Sequence, residues 1–396
     1  MTFDVVVVGG FGHAGLPLAL SLANKGQRVC ALDIHEERGN LLRRGEMPFL
    51  EAGAEEILRR VLHSGHLKLS LDPRVITDTE TVIIIIGTPV DRHLNPEFEA
   101  MRNMIESYLD FFRDGQLIVL RSTVYPGTTE KLQLWFREHD KKVELAFCPE
   151  RIAEGQALTE LETLPQIISA FSQDGLKRSD DLFRLLTEEI VVLTPMEAEL
   201  AKLFTNVWRY IKFATANQFF MIANDHEADF YRIHRAMTYK YERAADLARP
   251  GFTAGPCLFK DAMQLAAFNN NTFYVGHAAM LVNEGLPNYI VSKLKQKYNL
   301  RELLVGILGM AFKANSDDSR ESLAYKLKKI LALESRGVLC SDVYIAEDGF
   351  VAPEELVEQA DVIILAAPHK EYATLAVPET KVVVDIWNLW GRSCVI

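Results

Sequence analysis

VVVVGGFGHAGLPLAL, residues 5–20, opens the chain with a short apolar run, a glycine-rich turn and a second apolar run. Gly10, Gly12 and Gly15 match the GxGxxG pattern, between a predicted strand over Val5–Val8 and a predicted helix over Leu16–Asn24. At such a junction, backbone N–H groups and the helix dipole face a pyrophosphate. The stretch therefore predicts a dinucleotide-binding α/β domain.

Asp33 ends the next predicted strand, RVCALD at 28–33, about 20 residues after the glycines. A carboxylate at this position can accept hydrogen bonds from an adenosine ribose, and it would repel the 2′-phosphate of NADP. The sequence therefore predicts NAD as the cofactor. Two simpler interpretations stay open: the glycines could form a tight turn without a ligand, and Asp33 could cap a helix or end a strand in solvent.

Short β-branched runs recur along the chain with helical segments between them, which is typical of parallel strands buried on both faces. The runs are Val5–Val8, Val29–Leu32, Val82–Ile86, Leu117–Leu120, Leu145–Phe147, Val191–Leu193, Leu303–Leu308, Val338–Cys340, Val362–Leu365 and Val382–Asp385. From about Met196 to about Met237 a helical period with few breakers predicts one long helix, either bridging two domains and packing on a second subunit or lying in an ordinary core. We expect an α/β protein with two Rossmann-like, doubly wound parallel-sheet domains joined by this long central helix.

The bulk composition excludes several classes of protein. A chain of 396 residues predicts two or three structural units, and a net charge of −11 argues against a general nucleic-acid binder. No apolar run is long enough to span a membrane, and no histidine spacing predicts a metal site. The five cysteines are scattered and lack CxxC spacing, which favours a reducing, cytoplasmic setting. They are Cys30, Cys148, Cys257, Cys340 and Cys394.

RPGFTAGPCLFKD, residues 249–261, precedes a helical stretch over Ala262–Val282 and predicts a loop that meets a helix N-terminus. Gly251 and Gly255 would let the backbone pass close to a ligand. Lys260 and the nearby helix start would favour a thiolate at Cys257, and Asp261 falls within one helical turn of the sulfur. A structural or incidental cysteine is the alternative.

With this loop the chain resembles the UDP-glucose/GDP-mannose dehydrogenase family of nucleotide-sugar 6-dehydrogenases, whose glycine-rich loop ends in Cys followed shortly by Asp. Further matching segments run in the family's order over nearly the whole chain. They are GGFGHAGLPLA at 9–19, IIIIGTP at 83–89 with Thr88 and Pro89, RSTVYPGTT at 121–129 with Thr123, CPERIAEG at 148–155 with Glu150 and Glu154, ELAKLFTN at 199–206 with Lys202 and Asn206, and GMAFKANSDDSRES at 309–322 with Lys313 and Arg320.

The resemblance implies a cytoplasmic enzyme that oxidises the C6 hydroxyl of a UDP-sugar to a carboxylate with two NAD, through a thiohemiacetal and a thioester on Cys257. Residues 1–195 would form the NAD-binding domain. Residues 196–298 would form the central helical and dimerisation region with the cysteine loop, giving a homodimer, and residues 299–396 would bind the UDP-sugar. The active site would lie in the cleft between the N-terminal and C-terminal domains.

Three sets of site residues follow from the motifs. The catalytic set is Cys257, Asp261, Lys202, Asn206, Glu150, Glu154 and Thr123. The cofactor set is Gly10, Gly12, Gly15, Asp33, Thr88, Pro89 and Thr123. The substrate set is Lys202, Arg209, Arg249, Gly255, Lys260, Lys313 and Arg320.

Each catalytic residue has an expected task. Asp261 and Thr123 would handle protons with a water, Lys202 and Asn206 would steady negative charge on the C6 oxygen, and the two glutamates would activate the hydrolytic water and hold their loop. Simpler interpretations remain for some of them. Lys202 and Glu199 could be solvated helix charges, Asn206 a polar group at a helix interface, Glu154 a turn cap, and Arg249 half of a surface ion pair.

The identity of the sugar rests on fewer residues. Pro256 stands before the cysteine, where branches of the family differ. Arg209 and His369 are more similar to the UDP-N-acetylhexosamine branch, whereas Lys260 and the FKANSDDSRES segment also suit the UDP-glucose branch, so we favour a UDP-N-acetylhexosamine slightly. His13 replaces the family's usual aromatic residue in the glycine loop, and a usual proline is missing after Asp342.

Two competing functions use only part of the chain. A catalytically inactive Rossmann-type nucleotide-binding protein would have no use for Cys257. A single-step NAD-dependent hydroxyacid dehydrogenase would leave the second α/β domain and the cysteine loop without a role.

Overall fold

The computed structural model of the chain describes residues 3–87, 98–252, 255–392 and 395–396. These residues form two compact units, one over 1–204 and one over 205–396. The first unit holds a parallel sheet of six strands in the order β3-β2-β1-β4-β5-β6. The strands are β1 (Phe3–Val8), β2 (Val29–Leu32), β3 (Leu67–Ser70), β4 (Thr79–Ile84), β5 (Leu117–Leu120) and β6 (Glu144–Phe147). The order reverses between β1 and β4, which is the Rossmann arrangement.

Both faces of this sheet are buried, as the unbroken apolar runs predict. Along β1, Val5 and Val7 pack into one hydrophobic core, whereas Val6 and Val8 pack into a second core on the opposite face. Helices supply the rest of each core. They are α1 (Gly15–Asn24), α2 (Glu36–Arg43), α3 (Ala54–Ser64), α4 (Phe98–Ser107), α5 (Thr128–Glu138), α6 (Ala157–Thr163) and α7 (Gln173–Phe183).

Two further strands of the first unit form a small parallel pair. They are β7 (Gln166–Ile168) and β8 (Ile190–Val192). An antiparallel bridge between Ala146 and Ala170 connects the segment after β7 to β6. The predicted run Val191–Leu193 therefore lies outside the six-stranded sheet.

The long central helix α8 runs over Pro195–Asp225, and the division between the two units falls inside it. The prediction that it continues to about Met237 was wrong, because a separate helix α9 covers Phe230–Thr238. Glu227 has φ of +54° between them, which no α-helical residue adopts. The Asp229 carboxylate then caps α9 by accepting the N–H groups of Tyr231 and Arg232.

The segment after the cysteine loop also differs from the prediction. Helix α10 covers Gly255–Phe268, so it begins before Cys257 rather than near Ala262. The helical stretch then breaks at Asn270 and Asn271, both with positive φ, and α11 follows over Tyr274–Lys297. Asparagine tolerates this backbone conformation because its short side chain can bond locally.

The second unit carries a parallel sheet of four strands in the order β10-β9-β11-β12. Its strands are β9 (Leu304–Leu308), β10 (Gly337–Ser341), β11 (Val362–Leu365) and β12 (Val382–Val384), and its further helices are α12 (Leu323–Glu334) and α13 (Pro353–Gln359). The order reverses between β9 and β11, so this sheet is doubly wound as well. The predicted fold class, two Rossmann-like parallel-sheet domains and a long central helix, is confirmed.

No helix among the described residues combines the length and apolar character that crossing a membrane requires.

Candidate active site

In the loop after β1, the surroundings of Gly10, Gly12 and Gly15 explain why each of these positions is a glycine. A Cβ on Gly10 would lie 2.7 Å from the Val7 carbonyl oxygen, and a Cβ on Gly15 would lie 2.1 Å from the Gly9 carbonyl oxygen. Both positions therefore need glycine for the chain's own packing. A Cβ on Gly12 would make only an ordinary contact, 3.4 Å from the Gly9 oxygen. The glycine at 12 leaves open a space that a pyrophosphate can fill, so the loop fits NAD.

Asp33 is buried directly after β2 and joins the glycine loop to that strand end. One carboxylate oxygen accepts the N–H of Phe11 at 2.9 Å, and the other accepts the N–H groups of Ile34 at 2.8 Å and His35 at 3.2 Å. The alternative of a solvated strand end is therefore wrong for Asp33. The residue therefore holds the glycine loop in shape.

Thr88 and Pro89 lie outside the described residues. Thr123 is half-buried and follows β5. The neighbouring Ser122 fixes this strand end, because its hydroxyl accepts the N–H of Ile86 and donates to the Ile86 carbonyl, both at 2.8 Å. The ends of β4 and β5 are thereby held together beside Thr123.

Glu150 follows β6 and is engaged by a buried arginine that the sequence motifs did not single out. Nη2 of Arg121 donates to one Glu150 oxygen at 2.5 Å, and the N–H groups of Arg151 and Ile152 donate to the other at 2.6 and 2.8 Å. Burial alone would raise the pKa of Glu150. The charges of Arg121 and Lys202 and the hydrogen bonds hold that pKa below its usual value. Glu150 is thus a carboxylate that shapes its loop.

The half-buried Glu154 belongs to the same loop, and other acidic side chains fix the backbone on either side of it. Glu160 accepts the N–H of Ala153 at 2.5 Å, and Glu51 accepts the N–H groups of Gly155 at 3.0 Å and Leu158 at 3.3 Å. The backbone around Glu154 is therefore held by several charge-assisted hydrogen bonds.

Lys202 and Glu199 are both buried on α8, so neither is a solvated helix charge. The Glu199 carboxylate accepts the N–H of Gly127 at 2.6 Å and the N–H and hydroxyl of Thr129 at 2.8 and 2.5 Å, which caps the start of α5. Burial raises the pKa of Glu199 despite these bonds. The cap ties α8, which carries Lys202, to the segment that follows Thr123.

Cys257 is exposed in the first turn of α10. A helix N-terminus stabilises a thiolate, so this position suits a nucleophile. Asp261 lies one turn further along the same helix and is fully buried. Its carboxylate accepts a hydrogen bond of 2.6 Å from Nδ2 of Asn206 on α8, and Nζ of Lys260 lies 3.8 Å from its other oxygen. The second unit therefore brings Cys257, Asp261, Lys260 and Asn206 together.

The loop before Cys257 is anchored at Gly251 by a buried amide network that the sequence did not reveal. The Asn217 side chain accepts the N–H of Gly251 at 2.8 Å and donates to its carbonyl at 3.2 Å. Asn217 is held in turn by Asn283, at 2.9 Å. A Cβ on Gly251 would collide with the Trp387 ring, and one on Gly255 would collide with the Phe312 ring. Both glycines are therefore required by close packing.

The basic residues expected at the substrate are spread over several elements of the second unit. Arg320 forms a bidentate pair with the buried Asp318, in which Nε donates to Oδ1 at 2.9 Å and Nη2 donates to Oδ2 at 2.5 Å. Nζ of Lys313 lies 5.6 Å from the centre of the Phe312 ring. Arg209 and Arg249 are exposed.

Comparison with known proteins decides the family. The UDP-glucose/GDP-mannose dehydrogenase family matches in three successive parts: its NAD binding domain at residues 4–187, its central domain at 196–284 and its UDP binding domain at 306–392. The chain belongs to this family. It is an NAD-dependent oxidoreductase of the UDP-sugar dehydrogenase type, and NAD is its cofactor.

Relatives match over nearly the full length. A UDP-N-acetyl-D-mannosamine dehydrogenase of Methanocaldococcus jannaschii is 28% identical over 98% of this chain and 93% of its own. A UDP-D-ManNAc dehydrogenase structure from Pyrococcus horikoshii matches with a TM-score of 0.87 at 27% identity, covering 94% of this chain and 90% of its own. A UDP-glucose dehydrogenase structure from Pyrobaculum islandicum matches with a TM-score of 0.88 at 27% identity, covering 97% and 94%.

The residues described above fall within the matched family segments. The glycine loop, Asp33 and Thr123 fall in the NAD binding segment, Cys257 falls in the central segment, and Lys313 and Arg320 fall in the UDP binding segment. The residues that the motifs missed, Arg121 and Asn217 among them, form hydrogen bonds with residues far away in the sequence.

Proposed function

We propose that this dehydrogenase oxidises the C6 hydroxyl of a UDP-sugar to a carboxylate in two successive steps, with Cys257 as covalent nucleophile. The observation that carries the proposal is the arrangement in the second unit. An exposed thiol stands at a helix N-terminus, and one turn later a buried carboxylate is bonded to an amide on the central helix. A single-step dehydrogenase has no use for such a thiol.

Bound NAD supplies the hydride acceptor for each of the two oxidations. The chain's own residues do the remaining chemistry. Asp261, Thr123 and a water take up the protons released, and Lys202 and Asn206 stabilise negative charge on the C6 oxygen. The Cys257 sulfur adds to the aldehyde carbon and forms a thiohemiacetal, whose oxidation gives a thioester.

Hydrolysis completes the cycle. Water adds to the thioester carbon, the carbon–sulfur bond breaks, and Cys257 leaves as a thiolate. The net reaction converts one alcohol, two NAD⁺ and one water into one carboxylate, two NADH and three protons. In this scheme Glu150 and Glu154 hold the loop at which water is activated and give it negative charge. Both oxygens of Glu150 already accept hydrogen bonds, so Glu150 contributes by fixing the loop.

For the sugar we propose a UDP-N-acetylhexosamine. Relatives named as UDP-N-acetyl-D-mannosamine dehydrogenases support this choice, as does the exposed Arg209 on α8. UDP-glucose is the second candidate, favoured by the structural likeness to the Pyrobaculum islandicum enzyme. In either case Arg249, Gly255, Lys260, Lys313 and Arg320 make up the rest of the proposed UDP-sugar set.

NADH formation tests the proposal directly. Purified protein is incubated with excess NAD and a limiting amount of UDP-N-acetylmannosamine, UDP-N-acetylglucosamine or UDP-glucose, and absorbance is followed to completion. We expect two NADH per UDP-sugar, no free aldehyde, and fastest turnover with a UDP-N-acetylhexosamine. One NADH per sugar would reject the four-electron reaction, and no NADH with any of them would favour an inactive binding protein.

We further propose a homodimer that packs through α8. Trp208, Phe219 and Ile222 are exposed apolar side chains that fall within about 60° of the helix circumference at 100° per residue. Exposed apolar side chains that share one side of a helix can mark an interaction site.

A further inference from the structure

His369 is fully buried after β11, and the proposed chemistry does not use it. Its ring joins two loops at the carboxyl ends of the second sheet. Nδ1 lies 2.9 Å from the backbone nitrogen of Asn315, and Nε2 lies 3.1 Å from an oxygen of Asp342. An imidazole that uses both nitrogens can act as a rigid link between the groups that it contacts.

The partners fix the tautomer of this ring. The backbone nitrogen of Asn315 can only donate, so Nδ1 must be the acceptor and the proton must be on Nε2, where it is donated to Asp342. The same Asp342 oxygen accepts the N–H groups of Met310 and Ala311. Burial alone would raise the pKa of Asp342, but the His369 bond and the backbone donors hold that pKa below its usual value.

Asn315 is one point at which the segment 312–320 is attached to the rest of the sheet edge. Its N–H donates to His369, and its side-chain oxygen accepts the N–H of Lys370 at 3.0 Å. The backbone there has φ of +53°, a conformation that asparagine tolerates better than most residues. The segment closes on itself where the N–H of Phe312 donates to the Asp318 carbonyl at 3.0 Å.

We propose that His369 is a positioning residue for the UDP-sugar: as the neutral Nε2–H tautomer it holds Asn315, and with it the segment that carries Lys313 and Arg320. This inference rests on the proposed function, because it takes those two basic residues to bind the substrate. Lys313 lies two residues before the attachment point and Arg320 five residues after it. Loss of the Nδ1 acceptor would remove the part-buried one of the two hydrogen bonds that hold Asn315.

Three substitutions separate the two nitrogens of the ring. His369→Asn places an amide oxygen near the position of Nδ1, so it keeps an acceptor for Asn315 but does not reach Asp342. His369→Gln places its amide near the position of Nε2, so it reaches Asp342 and leaves Asn315 without an acceptor. His369→Leu removes both contacts. His234→Leu is the matched control, since His234 is a half-buried histidine of α9 whose Nε2 bonds the Leu247 carbonyl at 3.0 Å.

The probe is UDP, which both candidate substrates contain. UDP is titrated into the full chain by calorimetry at pH 8, and KM for NAD and Tm are measured in parallel. We expect His369→Leu and His369→Gln to weaken UDP binding about tenfold, as loss of one positioning hydrogen bond predicts. His369→Asn and His234→Leu should stay within about threefold of the unmodified chain. The KM for NAD should not change in any variant.

The outcomes separate the inference from the function on which it rests. If the unmodified chain does not bind UDP, the proposed function fails and this role of His369 fails with it. If the unmodified chain binds UDP and His369→Gln binds it as well as His369→Asn does, only the positioning role is overturned. The Asn and Gln variants alone decide the question should His369→Leu fail to fold.

Discussion

Asp33 and Asp342 occupy equivalent places in the two parallel sheets, each directly after the second strand of its unit and each bonded to the loop that follows the first strand. Their loads differ. Asp33 accepts three backbone N–H groups, whereas Asp342 accepts the N–H groups of Met310, Ala311, Tyr344 and Ile345 and also the ring of His369. A carboxylate has about four lone-pair sites. Asp33 therefore retains capacity for a ligand, and Asp342 does not.

Replacing these two aspartates should separate cofactor binding from folding. Asp33→Asn turns an amide group toward one of its N–H donors and removes the charge that we propose faces the ribose. We therefore expect KM for NAD to rise about tenfold or more and discrimination against NADP to fall. Asp342→Asn should lower Tm without changing KM for NAD. Initial rates with NAD and NADP and thermal unfolding measure both effects. An unchanged KM for NAD in Asp33→Asn would contradict the ribose role.

Cys257→Ser should isolate the covalent step. The variant should still bind NAD and UDP-sugar but fail to release acid, because a serine alkoxide is much harder to form near neutral pH than a thiolate. Product analysis by mass spectrometry would show the loss, and a stalled ester or adduct could accumulate. Undiminished four-electron turnover would reject the mechanism even though the family assignment stands.

The other cysteines provide the control for this variant. Burial raises the pKa of the Cys30 thiol to about 12 and of the Cys148 and Cys340 thiols to about 11, so these groups stay protonated at neutral pH. Cys340→Ala should leave turnover nearly intact. Iodoacetamide should label Cys257 in preference to these three buried thiols.

Arg121→Met should destabilise the first unit strongly. It leaves the Glu150 carboxylate buried without its cation, and breaking a buried pair in this way costs about 3–5 kcal/mol. The pKa of Glu150 is lowered in the folded state, so its stabilising contribution is present above its unfolded pKa and is lost as the pH falls through the folded pKa. The stability difference between the unmodified chain and the variant should therefore be largest near neutral pH and shrink in acid.

Urea unfolding at a series of pH values measures that difference. Arg121→Met/Glu150→Gln is the matched variant, because removal of the charge should recover part of the lost stability. A pH-independent difference, or no recovery in the double variant, would show that the pair is not the cause.

The sequence predicts the elements of this fold better than their ends. Runs such as Val29–Leu32 and Val362–Leu365 coincide with β2 and β11, because strands buried on both faces need unbroken apolar residues. Strand β3, Leu67–Ser70, was missed because its sequence LKLS interrupts the apolar run with a lysine and a serine. The break after α8 depends on the positive φ of Glu227, which no residue pattern signals.

In the candidate site, too, the sequence predicts some residues and not others. Motifs located Cys257, Asp261, Asp33 and Glu150, because each belongs to a short segment with a recognisable spacing. Their supports did not stand out, since Arg121 meets Glu150 across 29 residues, Asn217 meets Gly251 across 34 and His369 meets Asn315 across 54. Only the tertiary fold brings such pairs together.

Trp208→Glu should dissociate the proposed dimer. Trp208 is 58% exposed on α8, and Phe219 and Ile222, which lie on the same side of the helix, are 41% and 49% exposed. Aromatic residues at the centre of an interface contribute most to its affinity, and burying an unpaired carboxylate there would oppose association. We expect the unmodified chain to sediment as a dimer or a larger symmetric assembly at micromolar concentration, and the variant to shift towards monomer with an unchanged circular dichroism spectrum.

Leu333→Glu is the control, since Leu333 is 83% exposed on α12 and stands apart from the exposed α8 residues in the sequence. It should leave the sedimentation coefficient unchanged. If the unmodified chain sediments as a monomer when dilute, the interface on α8 does not exist. If Leu333→Glu dissociates the assembly and Trp208→Glu does not, the contact involves α12 rather than the central helix.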